Sequence, residues 1–552
     1  MIETIKAFTA LSEEFVELFM KHHPVAATES GIHDYDHVLP DDSPDGVRER
    51  SAWLRDLDQR LVASVPWDEL PIEARVDFAL LRSRISTLRA DLEEIRVPQR
   101  TPTLFLMRAF RGVHLLLSGS FGPLDERKEA AVARLMAIPD YFEGACESLG
   151  AVPPELLDAG LDLASRGPGF VEDIVRRLMR QFPGESERLE HAGSRARAGF
   201  LRLYDHLEKL RAEGRGANET FAISERWMNY RLDREHLAGI TAAELEAFAR
   251  ERMESSRVQL EEEARRADPR RSWRELVADG RERCPEAGWL REAYAGEIDR
   301  AKQFVIGRKL VPLPTGERLD VLETPLYSRD FSPQASYVGP APFDQDASGR
   351  FQFTPVDVRK DKETQARQLA GHCTAMIPIV ALRETYPGLH VLHARAAGAA
   401  TRLRRMAHND AMTGGWAAYA EEWMSDEGFL TSDPLSPLFA RLLALRRAAM
   451  ALVDSSLHCG RMTPADAIAL LTDEAMFEPH EATTAVRQCC VAPTRAAATL
   501  IGVTELGALR EEAREKLGAR FDAAAFHGAV CDGGILPPTL VREELWERLG
   551  TS

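Results

Sequence analysis

Helical periodicity governs most of this chain and leaves little room for any fold that is not mainly α. Over residues 3–22 the apolar side chains Ile5, Phe8, Leu11, Phe15, Leu18 and Phe19 recur at the spacing that lines one face of a helix. Stretches of the same kind recur at roughly 46–64, 71–95, 124–150, 170–213 and 242–267. Arg, Glu, Ala and Leu dominate them, and all are good helix formers. No fixed-period repeat is present, which argues against a solenoid. The pattern breaks near 305–360, where "RKLVPLPTGERLDVLETPLYSRDFSPQASYVGPAPFDQDASGRFQFTPVDV" is dense in Pro and Gly. Short alternating runs at Arg318–Leu322 and Phe351–Phe353 predict a small β element there. From Lys362 the helical pattern returns and continues to the end. The expected organisation is a helical lobe over 1–300, a loop and β connection over 301–360, and a second helical lobe over 361–552, since 552 residues exceed what one small core holds.

Composition narrows the partners. The formal net charge is −17 and no long basic stripe occurs, which argues against nucleic acid. The run Arg402-Leu403-Arg404-Arg405 reads as a solvated helix face. The opening "MIETIKAFTALSEEFVELF" lacks a basic region followed by an apolar run, and no apolar stretch approaches the ~18 residues of a membrane span. The seven cysteines are odd in number and none has CxxC spacing, which suits a reducing compartment. A cytoplasmic protein, monomer or homodimer, is expected.

Two short segments carry the chemistry. Residues 383–390 read "RETYPGLH", and residues 414–421 read "GGWAAYAE". They resemble HExxPGHH and EGWxxYAE, the motifs of a large bacterial family, domain of unknown function 885. Three further segments extend the resemblance over nearly the whole length: "HHPVAATESGIHDYDHVLPD", similar to a P-x-x-A-T-x-x-G opening, "ETPLYSRDFSPQASYVGPAPFD", and the closing "KLGARFDAAAFHGAVCDGGILPPTLV". The resemblance implies a zincin-like, two-lobed helical fold around a deep cleft. It also implies a zinc site in which histidines of the first motif and the leading Glu of the second hold the metal, with the first motif's Glu as base.

The metal set departs from that pattern. Arg383 stands at the leading His, Leu389 at the first of the paired histidines, and Gly414 at the leading Glu, while Glu384, Pro387, Gly388, His390, Gly415, Trp416, Tyr419 and Glu421 match. A third segment is changed too. The family's R-Y-x-x-x-P-G-Q-A-x-x-Y reads "QCCVAPTRAAAT" here, with Thr494-Arg495 for Gly-Gln and Thr499 for Tyr.

One histidine does not hold zinc, so no metal and no cofactor are expected. A substitute site from His390, His393 and Glu421 or Glu422 stays open as an alternative. Residues 383 and 390 are two helical turns apart, so on one continuous helix they share a face, unless Pro387 bends it. Arg383 is then either a binder of a substrate carboxylate or an ion-pair partner of Glu421. The candidate catalytic residues are Glu384, His390 and Tyr419. The candidate substrate-binding residues are Arg383, Glu421, Tyr337, Trp416 and Arg495, with helix packing as the plainer role for Trp416 and Tyr419. His527 is expected to be structural, and His372-Cys373 point apart on a helix.

The leading expectation is a metal-independent enzyme. It would act on a small amino-acid-derived or peptide-like molecule by acid/base elimination, cyclisation, isomerisation or condensation, in specialised metabolism. The alternatives are a silent cleft that binds a peptide or partner, and a metallopeptidase with rearranged ligands.

Overall fold

The computed structural model describes residues 2–119, 121–329, 334–344 and 348–550. Among them the chain is mainly helical, with one three-stranded sheet. Parts of the expected 301–360 connection and of the "ETPLYSRDFSPQASYVGPAPFD" segment, residues 330–333 and 345–347, lie outside the described residues.

The chain forms two compact units. The first takes in the described residues of Met1–Ile223 and Ala341–Ala347, the second those of Ser224–Pro340 and Ser348–Ser552. The helical segment 224–300, placed with the N-terminal lobe on sequence grounds, packs inside the second unit. The reason lies in its apolar face: Leu245, Ala249, Met253 and Leu260 of the Ala242–Ala267 helix are buried in contact with the Ser436–His458 helix. The periodic stretch read at 170–213 is two helices, Gly167–Gln181 and Ser186–Ala212, parted at Pro183.

In the first unit, helices α1 (Pro102–Ser118), α2 (Leu124–Ser148) and α3 (Ser186–Ala212) pack around Phe105, Phe110, Phe142 and Phe200. The fully buried Arg134 of α2 holds the opening segment in place. Its guanidinium donates to the carbonyls of Gly112 (2.6 Å), Val38 (3.0 Å), Pro24 (3.2 Å) and Tyr35 (3.3 Å) and to the Thr28 hydroxyl oxygen (2.8 Å). Gly31 ends the Pro24–Ser30 helix with a left-handed φ of 86°, a conformation that favours glycine. The Thr and Gly of the P-x-x-A-T-x-x-G opening are thus structural residues of this unit.

The second unit holds both motifs. Its elements include α4 (Ala242–Ala267), α5 (Leu290–Arg308), β1 (Leu319–Glu323), β2 (Ala335–Val338), β3 (Gly349–Phe353), α6 (Ile377–Glu384), α7 (Leu389–Ala396), α8 (Asp410–Asp426), α9 (Ser436–His458), α10 (Arg495–Leu517) and α11 (Ala523–Asp532). The sheet order is β1-β3-β2, with β1 parallel and β2 antiparallel to β3. Phe351 and Phe353 turn one face of β3 onto Tyr294 of α5, with ring centroids 5.1 and 6.2 Å away. Tyr337 lies directly opposite Phe351 in the β2–β3 register and so shares that face.

Helices α8 and α10 make the closest crossing. A Cβ built on Gly415 would lie 2.6 Å from Gly502 Cα, and one built on Gly502 would lie 1.7 Å from the Ala411 carbonyl oxygen. Only backbone fits between them. Gly502→Ala is expected to lower the stability of the second unit by about 2 kcal/mol or more, because backbone on both sides must move. Thermal and urea unfolding of the variant measure this, and an unchanged midpoint would contradict it.

Candidate functional site

The first motif is not one helix. α6 ends at Glu384 and α7 begins at Leu389, joined by a tight turn through Pro387 and Gly388. The expectation that Arg383 and His390 share a helical face is therefore corrected, because the intervening turn puts them on separate helices. A Cβ on Gly388 would sit 1.8 Å from the Arg383 carbonyl oxygen, so the turn requires glycine. The buried Trp416 of α8 donates its indole N–H to the carbonyls of Pro387 (3.0 Å) and Gly388 (3.1 Å). The P-G of one motif and the W of the other are thus two halves of one structural contact.

Arg383 sits against two buried carboxylates. Its Nε and Nη2 each lie 2.9 Å from Glu384 Oε1, and Nη1 lies 3.6 Å from Glu421 Oε1. The Arg447 guanidinium of α9 takes Glu421 Oε2 and reaches Glu422 at 3.3 Å. Burial raises the Glu421 carboxyl, while Arg447 and Arg383 pull the other way. Glu384 is 6% exposed, and its second oxygen, Oε2, accepts no hydrogen bond from a described residue. The Arg383 side chain is 26% exposed, so of this pair it is the cation that meets solvent.

His390 belongs to a second cluster. Its Nε2 lies 2.5 Å from Glu317 Oε2, and its Nδ1 lies 3.1 Å from the Tyr337 hydroxyl. Glu317 also accepts from Tyr386 (2.8 Å) and pairs with Lys302 (2.7 Å). Burial alone would raise the Glu317 carboxyl, but the bonds from His390, Lys302 and Tyr386 overcome it and hold it at about 2. His390 and His393 do share a face of α7, as their spacing implies, and that face meets bare backbone of the sheet. A Cβ on Gly349 would lie 2.5 Å from both His390 Nδ1 and Tyr337 Oη, and one on Gly339 would lie 2.5 Å from His393 Nδ1. Burial pushes the His393 imidazole down to about 3, with His408 and His390 adding to the effect.

The remaining candidates lie elsewhere in the unit. Tyr419 is buried and shares a 2.7 Å hydrogen bond with His527 Nε2, whose Nδ1 meets the Leu310 carbonyl at 3.0 Å. Its hydroxyl is engaged in the packing of α8 on α11, with Trp423 stacked on His527 at 3.6 Å. Arg495 opens α10 with its side chain 74% exposed, and the nearest acid is Asp410 at 3.9 Å. Thr494 holds a left-handed φ of 71°, an unusual conformation for a β-branched residue. Its hydroxyl lies 2.9 Å from His236 Nε2, and the buried Asp454 accepts from the N–H groups of Thr494, Ala496 and Ala497.

Positions 414 and 499 touch. A Cβ at Gly414 would lie 2.3 Å from Thr499 Oγ1, so the space beside position 414 is filled by the replacement at 499. The residues present do not fit a zinc centre. Arg383, Leu389 and Gly414 are not ligands, and both nitrogens of His390 are engaged. The substitute set is not assembled either: Glu421 faces Arg447 and Arg383, and His390 faces Glu317. Among the described residues no group of three or more His, Cys, Asp or Glu side chains is placed to hold a metal ion.

Sequence reading missed Glu317, Lys302, Tyr386 and Arg447. Glu317 stands in a Pro/Gly-rich loop 73 positions from His390, and no local pattern links the two. Tyr386 lies inside the quoted motif, where it occupies a variable position.

The family model for "Bacterial protein of unknown function (DUF885)" matches residues 24–545. No curated protein matches the chain. Among solved structures, the chain is similar to a "putative lipoprotein of unknown function" from Shewanella oneidensis, at 22% identity and a TM-score of 0.78, covering 97% of this chain and 98% of that one. It is also similar to a "putative lipoprotein" from Colwellia psychrerythraea, at 16% identity and a TM-score of 0.85, covering all of both chains. At these identities the likeness shows the fold alone.

Two measurements test the electrostatics. Arg447→Met is expected to destabilise the second unit by about 3 kcal/mol, because Glu421 stays buried without its nearest cation. Adding Glu421→Gln should recover most of the loss in urea unfolding. Burial holds the His527 imidazole at about 3, against ~6.5 in the unfolded chain. Between those values the unfolded state binds more protons, so this contribution is complete above about pH 6.5 and fades as pH falls towards 3. The full span is worth on the order of 5 kcal/mol. His527→Gln should flatten the acid side of the stability–pH curve, and an unchanged slope would contradict the assignment.

Proposed function

The chain belongs to the bacterial family of unknown function DUF885, and on that premise we propose that it is a metal-independent enzyme working in a zincin-like site whose zinc ligands have been replaced. The observation that carries this reading is the Arg383–Glu384 pair. Glu384, the family's base, keeps its place, is nearly buried, and has Oε1 fixed by the guanidinium while Oε2 is uncommitted. A guanidinium places a fixed positive charge beside the carboxylate, but it does not ionise a water near neutral pH as zinc does. What remains is proton abstraction by Glu384 from a bound molecule, with Arg383 orienting a carboxylate of that molecule.

The substrate class is a small amino-acid-derived or peptide-like acid, and the reaction an elimination, cyclisation, isomerisation or condensation. His390 is the second acid/base group, with Tyr337 hydrogen-bonded to it, while Glu421 stands beside Arg383. Trp416 acts by holding the turn between α6 and α7. Tyr419 and Arg495 are assigned no chemical step. The free cysteines support a cytoplasmic setting. The rival reading, a pocket that binds a peptide or partner without turnover, is separated by the same experiment.

The purified protein is dialysed, assayed for metal, and incubated with mixtures of amino-acid derivatives and short peptides in excess chelator. Consumption of at least one acidic compound is expected in chelator, with a rate loss of ~10²–10⁴-fold in Glu384→Gln at unchanged thermal stability. About one zinc per chain with activity abolished by chelator would overturn the proposal. Thermal stabilisation by a compound that is never consumed would favour the binding reading.

A further inference from the structure

Lys302, Glu317, His390 and Tyr337 form one continuous hydrogen-bonded chain. The Lys302 ammonium, about a third exposed, lies 2.7 Å from Glu317 Oε1; Glu317 Oε2 lies 2.5 Å from His390 Nε2; and His390 Nδ1 lies 3.1 Å from the Tyr337 hydroxyl. The Glu317 and His390 side chains are 6% and 1% exposed. We propose that Glu317 is a positioning residue that fixes His390 with its proton on Nε2, and that Tyr337 is thereby the hydroxyl through which this site exchanges a proton with its substrate. The inference rests on the acid/base reading above and adds to it a second proton station beside Glu384.

The direction of each bond follows from the acceptors. Glu317 receives hydrogen bonds from Tyr386 and His390 and the charge of Lys302, and an ionised carboxylate only accepts, so Nε2 must carry the proton. In a neutral imidazole Nδ1 is then an acceptor, and the Tyr337 O–H donates to it. The phenol oxygen keeps its lone pairs for a substrate X–H group. In the transfer, X–H gives its proton to the phenol oxygen while the phenol proton passes to His390 Nδ1. The products are the substrate anion, an intact tyrosine, and an imidazolium paired with the Glu317 carboxylate, with no net change in charge. The logic is that of a carboxylate orienting a histidine without itself becoming protonated.

The framework is built for this contact. Tyr337 is placed by its strand register opposite the buried Phe351, and Gly349 leaves the space in which hydroxyl and imidazole meet. His393, whose ring centroid lies 5.5 Å from that of Tyr337, lies on the same face of α7.

The test needs no substrate. The full-length protein is labelled with ¹⁵N-histidine, and the His390 resonances, assigned with His390→Asn, report which nitrogen carries the proton. Wild type is expected to show Nε2–H with an unprotonated Nδ1. In Glu317→Gln the amide can donate to Nε2, and the proton should move to Nδ1. Tyr337→Phe should keep Nε2–H, and Gly349→Ala should shift the Nδ1 resonance with Nε2–H retained. An Nδ1–H tautomer in wild type, or a tautomer indifferent to Glu317→Gln in a protein that still folds, would overturn the inference. If Glu317→Gln fails to fold, Glu317→Ala serves, since loss of the acceptor should also release the preference for Nε2–H. Once a substrate is found, Tyr337→Phe must lower kcat at least tenfold at unchanged thermal stability; unaltered turnover would remove Tyr337 from the chain of transfer. Zinc-dependent activity would sink the metal-free reading and leave the tautomer result standing, so the two failures are distinguishable.

Discussion

Helices α8 and α10 touch through bare backbone at Gly415 and Gly502, and much of the second unit is arranged by that contact. It fixes how far α8 lies from its neighbours, and so where Trp416 delivers its indole N–H to the turn between α6 and α7. That turn in turn sets Arg383 and Glu384 at the end of one helix and His390 near the start of the next. The same close approach brings Thr499 of α10 over position 414. A side chain at 414 would displace Thr499, so the residues at these two positions constrain each other.

The buried charges follow a consistent rule. A carboxylate removed from water needs a cation or several donors, and Glu421, Glu317 and Asp454 each have them. Glu421 has Arg447 and Arg383, Glu317 has Lys302, His390 and Tyr386, and Asp454 has three backbone N–H groups at the start of α10. Arg383 sets one fixed positive charge beside both Glu384 and Glu421. The buried histidines follow the complementary rule. His527 and His393 are held neutral by burial, and His527 serves as a hydrogen-bonding group between Tyr419 and the Leu310 carbonyl.

Much of the helical scaffold was legible in the sequence, because amphipathic periodicity is a local signal that burial then satisfies. The stretch read at 242–267 is the helix Ala242–Ala267, and the one read at 46–64 is Pro44–Ser64. The alternating runs at 318–322 and 351–353 became β1 and β3, while β2, which carries Tyr337, has no alternation to announce it. The domain boundary was less legible, since nothing in the composition near Ser224 tells the chain which core its next helix will join. At the site, Glu384 and His390 stood out by their place in a motif. Glu317 and Arg447 did not, because a single charged residue in a loop or on a helix face looks like any solvated one until its partner is known.

The sequence by itself determined the family and the helical class, because residue identity and spacing are written along the chain. Only the tertiary structure decided which polar groups meet. It separated Arg383 from His390 by a turn, gave Tyr419 to His527, left Arg495 in solvent, and joined Lys302, Glu317, His390 and Tyr337 into one chain. The reason is physical. Hydrogen bonds and ion pairs act over about 3–4 Å in space, and residues tens of positions apart come within that range only when the helices and the sheet have packed.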